Sequence, residues 1–112
     1  MKCIVIMPSS VTGLPDGRAA LTNTQTYVRT LMQEELGDNS VEFLDSYWQN
    51  ISAAGRNQNV GRLAIMLNRV AEADFVFFTH GWEKDPVCKL IKGYCEDSMD
   101  GIAHAATTFF RR

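Results

Sequence analysis

No stretch of this sequence approaches the roughly 20 consecutive apolar residues that a helix needs to cross a bilayer. The apolar run Cys3–Met7 is preceded only by Lys2 and stopped by Pro8, which makes it too short for a secretory leader. Cysteine is scarce and odd in number: Cys3, Cys88 and Cys95 form neither a CxxC pair nor a Cys/His cluster. That excludes a disulfide framework and gives no zinc site, and it fits a reducing, cytoplasmic setting. Positive charge is not in excess, with 11 Lys and Arg against 13 Asp and Glu and a net charge of -2. A nucleic-acid backbone as main partner would need a field of uncompensated cations. Neither a GxGxxG nor a Walker pattern occurs, so dinucleotide and P-loop chemistry have no support. Internal repeats, low-complexity tracts and linkers are also missing. The expectation is one cytoplasmic domain over residues 1–112, with no membrane span, no metal and no cofactor.

What is present is apolar residue in short, patterned runs, 46% of 112 residues. "KCIVIMP" is an unbroken β-branched run that suits a strand covered on both faces, as in a parallel sheet. "SSVTGLPDGRAALTN" reads as a long loop punctuated by Gly13, Pro15 and Gly17, and loops of that length tend to be functional. Val28, Leu31, Met32 and Leu36 recur at helical spacing, predicting an amphipathic helix over 23–36 stopped by Gly37. A second strand is expected over Val41–Leu44, with Asp45 at its end. A second helix starts near Asn57 or Asn59 and carries Leu63, Met66, Leu67 and Val70 on one face. "ADFVFFTHG" is the third and most buried strand. Asp85 followed by Pro86 is a strong helix start, because the carboxylate accepts from free backbone N–H groups and proline in the first turn forfeits no bond. That third helix runs toward Gly101. "AATTFF" reads as a short fourth strand, and Arg111 and Arg112 as a solvated tail.

Strand and helix alternate throughout, which predicts right-handed crossovers and a three-layer α/β/α sandwich, Rossmann-like or flavodoxin-like, with a parallel sheet of four to five strands. In such sheets ligands sit beyond the carboxyl ends of the strands. Here those ends carry Pro8–Gly13, Asp45–Trp48 and His80–Asp85.

Two of these segments carry a resemblance. "SSVTGLPDGRAALTNTQTYVRTL" after an apolar first strand, and "ADFVFFTHGWEKDP" as a third strand and its loop, resemble a small bacterial and phage family related to nucleoside 2-deoxyribosyltransferases. Trp48 lies where that family tends to carry a tryptophan. The likeness runs from Lys2 to about Ile102. It implies a nucleoside or nucleotide ligand, N-glycosidic transfer or hydrolysis, and a homodimer or larger homo-oligomer in which a neighbour closes the pocket. In the related enzymes a glutamate near the start of the third helix attacks the anomeric carbon, a task that suits a carboxylate. Aligned on Gly81, Trp82, Glu83 and Lys84, that position is Ile91, which has no nucleophile. A second acidic position aligns near Met66, also apolar.

The resemblance therefore implies a pocket without its expected acid, and two readings stand: an altered catalytic centre, or a non-catalytic nucleotide-binding or protein-interaction module. For the first, Glu83 is the candidate replacement carboxylate; otherwise it is a solvent-exposed loop residue. Pro8, Ser9, Ser10 and Gly13 could hold a phosphate or sugar. Asp45 could hold a ribose hydroxyl or simply form a turn, while Trp48 and Trp82 could stack on a base or roof the core. Gly81 shapes the third loop, and Asp85 is an N-cap that also lies beside the ligand position. Cys88 and Cys95 fall on the apolar face of the third helix and read as packing. His80 has no identifiable partner.

Overall fold

A computed structural model describes residues 1–37, 40–51, 57–104 and 107–112 of the chain. The described elements run β1 (Lys2–Ile6), α1 (Ser9–Thr12), α2 (Gly17–Leu36), β2 (Glu42–Phe43), α3 (Gln58–Glu72), β3 (Phe75–Phe78), α4 (Pro86–Ser98), β4 (Asp100–His104) and β5 (Thr107–Arg111). The fold is mixed α/β, with the strands joined in one sheet of order β2-β1-β3-β5-β4.

Strands β1 and β3 form its centre. They pair in parallel through Cys3–Phe75 to Ile6–Phe78, and β1 also pairs in parallel with β2. Every residue of β3 is buried, as an unbroken Phe-Val-Phe-Phe run in a sheet interior requires. Alternate side chains then part into two cores, because successive Cβ atoms on a strand point to opposite faces. Cys3, Val5, Phe75, Phe77 and Phe109 pack with Leu21, Val28, Leu31 and Met32 of α2. Ile4, Ile6, Val76, Phe78 and Phe110 pack with Met66 and Val70 of α3 and with Cys88, Ile91 and Cys95 of α4.

Three expectations are corrected. The sheet is mixed, not purely parallel: β5 runs antiparallel to β3, and β4 antiparallel to β5. β5 follows β4 only two residues later in the sequence, too few for the crossover that a parallel neighbour needs. The helix expected to continue toward Gly101 ends at Ser98, Met99 is extended (φ -137°, ψ 162°), and β4 begins at Asp100. Finally, the expected long loop is largely helical, with α1 at Ser9–Thr12 and α2 starting at Gly17 instead of residue 23.

Gly17 explains that elbow. A Cβ on it would lie 2.2 Å from the Thr12 carbonyl oxygen and 2.6 Å from that of Val11, so only glycine lets α2 start against the last turn of α1. The closing arginines are exposed, as expected of a solvated segment, but they are not a loose tail. Arg111 ends β5, and Arg112 donates through Nε to the Ala73 carbonyl at 3.0 Å and through Nη2 to the Val70 carbonyl at 3.1 Å. It thereby gives the Ala73 carbonyl just past α3 a donor and adds a second one to the Val70 carbonyl, which also accepts from Ala73 N at 3.2 Å. No helix among the described residues is long and apolar enough to cross a membrane.

Candidate functional site

The cleft lies where the topology predicts, beyond the carboxyl ends of β1 and β3 and against the start of α4. Its walls are Ile6, Met7, Ser9, Ser46, Trp48, Met66, Asp85, Val87, Cys88 and Ile91. Three separate loops converge because β1 and β3 are neighbours in the sheet while β2 flanks β1.

Asp85 organises the site. Proline at the first position of α4 leaves the next N–H groups unpaired, and the Asp85 Oδ1 accepts from Val87 N at 2.8 Å and Cys88 N at 3.3 Å. Its other oxygen reaches across the cleft: Oδ2 accepts from Ser9 N at 2.8 Å and from Ser9 Oγ at 3.2 Å. One carboxylate thus clasps the loop after β1 to the loop after β3, and it is only 7% exposed. Gln49 adds a third loop to the clasp by donating from Nε2 to the Ser9 carbonyl at 3.3 Å. Gly13 lies beneath that contact; a Cβ there would come within 3.0 Å of the Ser9 carbonyl and 3.1 Å of Gln49 Nε2.

The second polar wall residue is Ser46, which the sequence reading passed over in favour of its neighbour Asp45. Ser46 is buried and its hydroxyl donates to the Val5 carbonyl. Adjacent residues of an extended chain face opposite ways, and the more strongly hydrated carboxylate is the one turned outward. Asp45 is exposed, accepts from Tyr47 N at 3.0 Å in a local turn, and offers its backbone carbonyl to Arg69.

The rest of the cleft is hydrocarbon and sulfur. Ile91 is 1% exposed and Met66 4% exposed, and both line it. Cys88 is a buried free thiol whose pKa is pushed up to about 12 by burial first and by the Asp85 charge second. It remains protonated at neutral pH and is no nucleophile. The free volume between these walls is about 10 Å³, room for one water at most. A larger hollow of about 130 Å³ lies on the other face at the opposite end of the sheet, lined by Leu31, Met32, Leu36, Phe75, Ile102 and Phe109 together with Glu35 and Arg111.

Of the residues singled out from sequence, Ser9, Trp48 and Asp85 come together in the cleft wall. Pro8 is buried just behind it, with its Cγ 4.0 Å from where a Gly81 Cβ would sit, and Gly81 takes the left-handed conformation (φ 91°) that turns the chain after β3. Ser10 and His80 are exposed. Glu83 is exposed, in the short 3-10 turn Trp82–Lys84, and outside the cleft lining. Trp82 also turns away from the cleft: its ring meets Phe78 edge-on at 6.3 Å and carries the Lys92 Nζ 4.2 Å above its centre. The described residues contain no group of three or more His, Cys, Asp or Glu side chains placed to hold a metal ion. Compared with known proteins, the chain matches no family model, no curated protein and no solved structure.

Proposed function

We propose that this chain is a non-catalytic derivative of a nucleoside-processing α/β domain, one that keeps the strand-end cleft as a binding place for a nucleoside or nucleotide. In this reading the helices on the two sides of the sheet make a three-layer, Rossmann-like sandwich with an antiparallel hairpin, β4–β5, added at one edge. The observation that carries the proposal is the state of the carboxylates. N-glycosidic exchange needs an acid within reach of the anomeric carbon. Here Met66 and Ile91 present hydrocarbon to the cleft, Asp85 has both oxygens engaged by backbone and hydroxyl donors, and Glu83 lies outside it. A base needs several times the space of a water, so binding has to open the walls. Trp48, half-buried in a short turn, is the wall residue that can move and then stack on the base.

Two measurements test this. Incubation with deoxynucleosides and nucleoside monophosphates, followed by chromatography for free base, is expected to show no release. Release lost in Glu83→Gln would restore the catalytic reading, and release surviving in that variant would place the catalyst elsewhere. Thermal-shift screening is expected to show a rise in melting temperature with a nucleoside or nucleotide, since a ligand held only by the folded state stabilises it.

The closed cleft also favours a second reading, a protein-interaction module in which the fold is only a scaffold. A flat nucleoside screen together with a stable protein complex would select it. Self-association belongs to the nucleoside reading, with a second copy completing the cleft, and sedimentation showing only monomer at high concentration would remove it. The three cysteines are all buried, which accords with a reducing, cytoplasmic environment.

A further inference from the structure

We infer that Asp85 is a built-in anion that occupies the cleft's donor groups, so that the cleft admits an uncharged ligand, a free base or nucleoside, and excludes its 5′-phosphate. The inference deepens the nucleoside reading above, and its ligand arm rests on that reading. A phosphate is held where backbone N–H and hydroxyl groups converge on unfilled space. Here the converging donors are the N–H and hydroxyl of Ser9 and the N–H groups of Val87 and Cys88, and all of them already point at the two oxygens of Asp85 at 2.8–3.3 Å. The Ser46 hydroxyl, the other polar side chain lining that wall, is engaged as well, donating to the Val5 carbonyl.

Charge acts in the same direction. Among the described residues that line the cleft, no Lys or Arg is present and Asp85 is the only carboxylate. A phosphate entering would meet that like charge at a largely buried position, and would have to displace a carboxylate that also caps α4. A base or nucleoside faces no such repulsion and needs only the apolar wall of Met66, Val87, Ile91 and Trp48.

The test uses the full chain labelled with 15N. Titration with inorganic phosphate is expected to leave the Ser9, Val87 and Cys88 amide resonances of the wild type without a saturable shift. Asp85→Ser keeps a capping hydroxyl for α4 but removes the charge and the second oxygen, so the Ser9 amide, released from Oδ2, is expected to move saturably with phosphate. Saturable shifts in the wild type, or none in folded Asp85→Ser, would overturn the inference. Should Asp85→Ser not fold, Asp85→Asn removes the charge with nearly the same shape and is held to the same outcome. A nucleoside paired with its monophosphate gives the second arm: wild type is expected to bind the monophosphate at least about tenfold more weakly, and the gap is expected to shrink in the variant. Equal binding by wild type overturns the inference. If neither ligand binds, the nucleoside reading falls, while the phosphate titration still decides the role of Asp85.

Discussion

Replacing Asp85 by alanine is expected to cost about 3 kcal/mol of stability, and the parts of that figure come from different contacts. Loss of the N-cap on α4 accounts for about 1 kcal/mol, through the bonds to Val87 N and Cys88 N. The clasp to Ser9 adds about 2 kcal/mol, because hydrogen bonds to a charged acceptor are worth roughly 1.5–3 kcal/mol where both partners are shielded, and Asp85 is 7% exposed. The two parts separate by substitution. Asp85→Ser keeps the cap and loses the clasp, for about 2 kcal/mol. Ser9→Ala loses only the longer hydroxyl bond, 3.2 Å, for about 0.5–1 kcal/mol. Urea unfolding followed by circular dichroism reads all three as shifts of the midpoint at constant m, with about 1–2 M expected for the alanine variant. In a double-mutant cycle, Asp85→Ala and Ser9→Ala should couple by about 0.5 kcal/mol or more, since they share one bond. Strict additivity, or an Asp85→Ala variant within 1 kcal/mol of wild type, would show that the carboxylate does not clasp the loops, and the account of the cleft would fall with it.

Gly17→Ala should destabilise despite the better helix propensity of alanine: moving the Thr12 oxygen from 2.2 Å to a tolerable separation means shifting backbone, an overpacking cost of about 1–3 kcal/mol that a gain of under 1 kcal/mol does not offset, and a midpoint at or above wild type in urea would contradict this. Arg112→Ala should lower stability by about 1–2 kcal/mol by leaving the Ala73 and Val70 carbonyls without their side-chain donor; an unchanged midpoint would refute the capping role. The buried thiols predict a pH dependence, since Cys88 and Cys95 are pushed from an ordinary 9.0 to about 12 and about 11, in each case chiefly by burial. The unfolded chain then releases thiol protons first, so these groups leave stability unchanged below pH 9 and lower it as pH climbs from there toward 11–12, with a limiting slope of about 1.4 kcal/mol per pH unit for each; a Cys88→Ala, Cys95→Ala double variant should show a flatter decline, and identical alkaline slopes would sink the assignment. Ile91→Glu should be less stable at pH 8 than at pH 5, because burial raises the carboxyl's folded pKa and ionisation is then penalised in the folded state only; equal destabilisation at both pH values would mean that the side chain reaches water.

The central half of the fold was legible in the sequence because its signals are local and redundant. The apolar runs at Cys3–Ile6 and Phe75–Phe78 suit buried strands and Asp85-Pro86 suits a helix start; all three are found, with Met7 falling just beyond β1. The edge of the sheet was not legible. "SMDGIAH" has too little β-branched or alternating character to announce β4, and its strand state comes from pairing with β5 at Gly101–Phe110 and Ile102–Phe109, a tertiary contact that propensity does not encode. The same holds at Gly13–Gly17, where glycine and proline read as loop punctuation. Gly17 is there for the opposite reason, to bring two helices into backbone contact.

Position along the chain places a side chain at the strand ends but does not say which way it faces or what it already holds. Ser9 and Asp85 both line the cleft at the strand ends, yet nothing in their places along the chain announces that each occupies the other. That mutual occupation follows from distance in space, over 76 residues of chain, and it changes the chemistry available: the donors that suited a phosphate are filled by a carboxylate, and the carboxylate that suited a sugar is held by the donors. The two hydrocarbon positions were legible, because Met66 and Ile91 are apolar wherever they point, and both do point into the cleft. The wall is therefore apolar at Met66 and Ile91, and its Ser9, Val87 and Cys88 donors are occupied by Asp85. On the reading proposed above, an uncharged, flat ligand on which Trp48 stacks is the chemistry these walls leave open.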